Sequence, residues 1–126
     1  MLGDVKGTSG FAVKDMDAAR EFYEGTLGLR VEVLDEQFGV AVLHLRGGYD
    51  VFMYLSAEMA PPSYTILNFE VDDVDAAVAA LGERGVNFER YPEFDHDEKG
   101  IVRGPGPHIA WFMDPSGNTL SVLQQP

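Results

Sequence analysis

Three histidines, an excess of carboxylates and a few aromatic side chains are the residues of this chain with chemistry to offer. A histidine with an ordinary pKa near 6.5 can take or give a proton at neutral pH, so His44, His96 and His108 are the candidate bases. His44 is the best of them, in a strand whose alternation turns it away from the apolar side; an ordinary polar lining residue is the other reading. Asp95-His96-Asp97-Glu98 has the donor types of a metal site. Runs of charge are usually solvated, however, and a solvated acidic loop is expected there. His108 follows a proline turn and reads as a strand-end residue. Trp111 could stack a ligand ring, and Tyr54 and Tyr64 could donate hydrogen bonds, with core filling as the alternative. The side of its strand that Trp111 takes is open. There is no cysteine, which removes a disulfide framework, a thiolate zinc site, an iron–sulfur cluster and a cysteine nucleophile. Gly104-Pro105-Gly106-Pro107 is no phosphate loop, because proline lacks the amide donor a phosphate needs.

The chain that must position these groups has 126 residues, enough for one domain. Its 9 basic and 21 acidic residues leave a net charge of −12, a field that repels phosphate backbones and anionic lipid. Nucleic acid and membrane are therefore not expected as partners. No stretch approaches the roughly 20 apolar residues of a membrane span. The N-terminus has no cationic segment leading into an apolar one, so a cytoplasmic protein is expected.

The chain repeats itself. Phe11-Ala-Val-Lys-Asp-Met-Asp-Ala-Ala19 returns as Phe69-Glu-Val-Asp-Asp-Val-Asp-Ala-Ala77. In each copy the Phe and Val alternate as one face of a strand does. Asp15 and Asp73 stand where a helix N-cap belongs, and Asp17 and Asp75 put a second carboxylate in the first turn. Helices should follow, with Ala19, Phe22, Tyr23 and Leu27 buried in the first, and Val74, Ala77, Val78 and Leu81 in the second. Strands are predicted over residues 30–34, 38–46, 49–55, 86–91, 109–113 and 119–123. The order is β-α-β-β-β, twice. The prediction is an α+β domain spanning 1–126, of two modules (1–60 and 63–126), whose strands form one curved, mostly antiparallel sheet with a concave cleft and the helices outside.

Val13-x-Asp15, Phe22-Tyr23, Leu27-Gly28 and Asp114-Pro-Ser-Gly-Asn118 resemble the vicinal-oxygen-chelate superfamily, which holds glyoxalase I, bleomycin-resistance proteins and extradiol dioxygenases. The similarity spans nearly the whole chain. In the family's enzymes it implies His and Glu metal ligands on the first and last strands of each module. The first stands seven residues before the Asp of Val-x-Asp, which is Thr8 here and Ile66 in the second module. Another lies seven residues after the Asp of Asp-Pro-x-Gly-Asn, at Ser121, and the fourth aligns to Met53 within one residue. None suits a divalent cation, which asks for imidazole and carboxylate. The resemblance therefore implies the fold without its metal, and no cofactor is expected.

Strand alternation puts Thr8, Gly10 and Ala12, then Val40, Val42 and His44, then Tyr64, Ile66 and Asn68, then Thr119, Ser121 and Leu123 on the cleft side. An apolar lining with a few hydroxyl, amide and imidazole groups suits an organic ligand. The candidate binding residues are Thr8, His44, Met53, Tyr64, Ile66, Asn68, Trp111 and Ser121. A metal-free small-molecule-binding protein, like the drug-sequestering bleomycin-resistance proteins, is expected, with a cationic or aromatic ligand and a homodimeric assembly. A glyoxalase-like lyase or isomerase, metal-free with His44 as base or with a non-standard metal site, stands as the alternative.

Overall fold

A computed structural model describes residues 1–126. The chain divides into two compact units, Met1–Ala60 and Pro61–Pro126. In the first, β1 (Ser9–Val13) leads into α1 (Met16–Arg20), then β2 (Arg30–Asp35), β3 (Val40–His44) and β4 (Asp50–Leu55). In the second, β5 (Thr65–Glu70) leads into α2 (Val74–Glu83), then β6 (His108–Met113) and β7 (Thr119–Gln124). The class is α+β. The strands hydrogen-bond as two mixed sheets rather than one, in the orders β1-β4-β3-β2 and β5-β7-β6. In each the first strand lies parallel to the last, and the remaining pairs are antiparallel.

The repeat folds twice in the same way. Asp15 accepts a hydrogen bond from the Ala18 amide at 3.1 Å, and Asp73 accepts one from the Ala76 amide at 3.1 Å. Each satisfies one of the donors a helix start leaves over. The exits differ. α1 continues as a wider π-helical stretch over Glu21–Thr26, closed by the Leu27 amide on the Phe22 carbonyl. α2 ends in a Schellman turn: Val86 donates to the Leu81 carbonyl and Gly85 to Gly82, with Gly85 at φ +89°.

Each sheet buries one face under its helix. In the first unit Phe11, Met53, Ala41, Leu43 and Val31 share that face by register and are all buried. Phe11 meets the buried Tyr23 ring of the π-helical stretch at 5.5 Å. In the second unit Leu120, Val122, Ala110 and Phe112 form the equivalent layer. Gln124 belongs to it, its Oε1 accepting from the Val74 amide at the start of α2.

Two predicted strands are shorter than expected. Residues 86–91 pair only at Phe88, opposite Phe112, with the Glu89 amide on the Trp111 carbonyl. The Val86 amide is already spent on the cap of α2, and Pro92 has none to give, so only the middle can pair. The second module is therefore β-α-β-β with a single bridge in place of its second strand. β3 starts at Val40 because Gly39, at φ +69°, belongs to the preceding turn. A Cβ there would stand 2.6 Å from that of Leu55, so only glycine fits.

Candidate functional site

The faces turned away from the helices carry the groups with chemistry to offer. They differ between the units.

In the first unit that face holds a clasp of three charged side chains. Register sets His44 of β3 directly opposite Asp50 of β4 and diagonal to Glu32 of β2. The imidazole joins them: Nδ1 lies 2.9 Å from Asp50 Oδ1 and Nε2 lies 2.8 Å from Glu32 Oε1. Two ionised carboxylates only accept, so the ring between them must donate from both nitrogens. The hydrogen bond to Glu32, then that to Asp50, raises the His44 pKa above its ordinary 6.5. The same bond lowers that of Asp50, helped by Lys6 at 3.6 Å. His44 thus shares its face with Val42, and both of its ring nitrogens are engaged by carboxylates. Glu32 and Asp50 decide its role. No group of three or more His, Asp or Glu side chains converges as a metal site would.

The family's ligand positions do not fit a metal. Thr8 is exposed just ahead of β1. Met53 is fully buried and shares the helix side with Phe11, which corrects its assignment to the ligand face. Its neighbours Phe52 and Tyr54 take that face instead, opposite Gly10 and Ala12, and they bring a phenyl ring and a phenol. Ile66 lies in a bulge, where Thr65 pairs with Thr119 and Leu67 with Leu120, so simple alternation fails there. It would offer hydrocarbon in any case. Ser121 is fully buried, and its hydroxyl donates to Asn68 Oδ1 at 2.6 Å.

The second unit answers the question of Trp111. It pairs with Ser121, which pairs with Asn68, so the three share the face away from α2. The indole stands in an aromatic cluster. Phe94 stacks on it with centroids 5.4 Å apart and planes 26° apart. Tyr91 meets it edge-on at 5.4 Å, and His96 at 6.1 Å. Burial first, and then the Glu89 carboxylate, push the Tyr91 phenol above its ordinary 10.0. His96 Nε2 accepts from the Tyr91 amide and Nδ1 donates to the Gly100 carbonyl, both at 2.9 Å. Those partners define one neutral tautomer. Tyr91 and Phe94 are further residues that the sequence did not single out. Tyr64 lies just before β5 and is exposed, while His108 opens β6 on the helix side with Gln124.

The loop that carries Phe94 is built rather than merely solvated. Asp97 Oδ1 accepts from the Lys99 and Ile101 amides, and its Oδ2 from Arg103 Nε, each at 2.9 Å. Arg103 and Lys99 also grip Asp75 in the first turn of α2. At the other end of β6, Asp114 is buried and accepts from the Ser116 and Asn118 amides and from Asn118 Nδ2. Gly117 closes that turn at φ +89°. The Asp-Pro-Ser-Gly-Asn segment therefore sets the hairpin that brings Trp111 beside Ser121.

The match to known proteins covers the same elements. The Glyoxalase/Bleomycin resistance protein/Dioxygenase superfamily model matches residues 7–122. TnmS3, an antibiotic binding protein from Streptomyces sp. CB03234, superposes with a TM-score of 0.72 at 26% identity over 98% of each chain. A superfamily member from Sphaerobacter thermophilus does so with a TM-score of 0.69 at 25% identity, over 96% of this chain and 98% of its own. YraH of Bacillus subtilis (strain 168) is 28% identical over 89% of this chain and 91% of its own. No helix is long and apolar enough to cross a membrane. With its repeat, its Asp-Pro-Ser-Gly-Asn hairpin and a family match over most of its length, the chain belongs to the Glyoxalase/Bleomycin resistance protein/Dioxygenase superfamily.

Proposed function

We propose that this protein binds and sequesters an organic small molecule without a metal. The observation that carries this is the fate of the family's ligand positions. Threonine, isoleucine and a buried serine already bonded to Asn68 stand at three of them, and the strand at the fourth presents Phe52 and Tyr54. Chelation needs three or four imidazole or carboxylate donors. Stacking and hydrogen bonding need what these faces hold: Trp111, Phe52, Tyr54 and the Asn68–Ser121 pair. The likeness to an antibiotic binding protein supports the same reading. A metal-free lyase or isomerase needs a base, and His44 is committed at both nitrogens.

A thermal-shift screen of metal-stripped protein against aromatic and cationic antibiotics tests this. A ligand that binds only the folded chain raises Tm by an amount that grows with the logarithm of its concentration relative to Kd. A dose-dependent rise with at least one aromatic compound is expected; no rise at millimolar concentrations of any compound would overturn the proposal. A homodimer and a cytoplasmic setting complete it. Sedimentation at micromolar concentration should give twice the 13.8 kDa chain mass.

A further inference from the structure

The aromatic cluster of the second unit has a feature that closing a core does not require. Phe94 lays one ring face on Trp111, yet it remains 47% exposed. Beside it opens a depression of about 410 Å³, lined by Arg90, Tyr91, Pro92, Phe94, Asp95 and His96. Ligand pockets start at about 300 Å³.

Its walls are already set. His96 is held by the Tyr91 amide and the Gly100 carbonyl, and it brings no charge. The Arg90 guanidinium donates to the carbonyls of Asp97 and Glu98 at 2.9 and 2.8 Å, so its hydrogen-bonding edge is committed to the loop. The turn beneath Phe94 is closed by its own amide on the Tyr91 carbonyl. The charges around Phe94 lean acidic: Asp95 lines the depression and Glu93 stands on the other side of Phe94 in the chain, both exposed, against the one guanidinium of Arg90.

We propose that this depression seats a planar aromatic cation, stacked on the outward face of Phe94 with Trp111 backing that ring from behind. The inference rests on the small-molecule reading above and names a ligand class and a seat for it. The 5.4 Å spacing of Phe94 and Trp111 leaves no room for a ring between them, so the ligand adds to the outside of the stack. A π-face attracts a delocalised cation, and the two carboxylates add a charge that salt would screen.

Trp111 is the only tryptophan, so the emission read is that of the ring behind Phe94, and the Phe94 variants assign a change in it to this seat. Proflavine, a planar tricyclic cation, is the probe, titrated into the full chain with Trp111 emission and proflavine anisotropy read together. Saturable quenching that follows the anisotropy is expected. Anthraquinone-2-sulfonate, planar but anionic, should bind more weakly. Phe94→Ala should weaken proflavine roughly tenfold, the usual worth of one stacked ring, and Phe94→Tyr should restore it. Glu93→Gln with Asp95→Asn should weaken proflavine about threefold at low salt and leave the anion no weaker. Unquenched Trp111 at saturating anisotropy, or wild-type affinity in Phe94→Ala, would overturn the proposal. A compound that raises Tm in the screen while leaving Trp111 unquenched would sink this seat and spare the broader reading.

Discussion

The two units start from one nine-residue pattern and end with opposite chemistry on the faces away from their helices. The first carries a charged clasp, Glu32–His44–Asp50. The second carries an aromatic cluster, with Trp111 backed by Phe94 and Tyr91, beside a buried Ser121. What the repeat preserves is the frame: strand face, Asp cap and first turn of helix. What it leaves free is the opposite face, because side chains there pack against no shared helix. In this chain the chemistry therefore lies where the two copies differ.

The frame itself breaks most severely at Asp114. Three donors point at its buried side chain, and removing their acceptor leaves them unsatisfied. Asp114→Ala should cost about 3–4 kcal/mol in urea denaturation and release the Trp111 environment with it. A change below about 1 kcal/mol would mean the hairpin holds without this turn.

Met53 sharpens the contrast between faces. As a fully buried side chain beneath the helix, it should cost about 2–4 kcal/mol as Met53→Ala. Its neighbour Tyr54, on the opposite face and 45% exposed, should cost less than about 1 kcal/mol as Tyr54→Ala. The reverse ranking would put Met53 back on the ligand face.

The two caps test the equivalence of the copies. Asp15→Ala and Asp73→Ala should each lower stability by about 1 kcal/mol, within a few tenths of one another. A large inequality would mean that the π-helical continuation of α1 alters what its cap contributes.

The clasp gives the subtlest effect, and its sign is definite. His44 is raised above 6.5 by Glu32 and then Asp50, so its stabilisation is full below about 6.5 and fades as pH rises through the raised value. Asp50 is lowered from 3.8 by His44, so its share is present above about 3.8 and fades as pH falls through the lowered value. Clasp stability should therefore peak between these limits. An NMR titration should find His44 titrating above 6.5, and Glu32→Gln should bring it back toward that figure. A His44 midpoint at or below 6.5 in the wild type would contradict the clasp.

Much of the frame was legible. Asp15, Asp73, the Phe-x-Val faces and the Gly85 cap follow from local rules of spacing and backbone freedom, and local rules survive folding. Where cross-strand register decides, the sequence was silent or one residue off. Met53 lies in a strand with no anchoring residue type, and a one-residue slip changes its face. Ile66 falls in a bulge that breaks alternation. Trp111 could be placed only once β6 was paired with Ser121. The clasp leaves a trace in the sequence: a turn centred on Gly47 brings His44 opposite Asp50 across the hairpin. Phe94 had none, since residues 92–107 show no periodicity and the loop is held by Asp97, Arg90 and Arg103 instead.

We propose that this chain binds its ligand by stacking and hydrogen bonds and without a chelated metal. Calorimetric titration of the strongest compound from the thermal screen, run on the same protein before and after exhaustive dialysis against chelator, tests it directly. Equal stoichiometry and equal affinity in both runs are expected. Binding lost on chelation and restored by one equivalent of zinc, nickel or iron would contradict it.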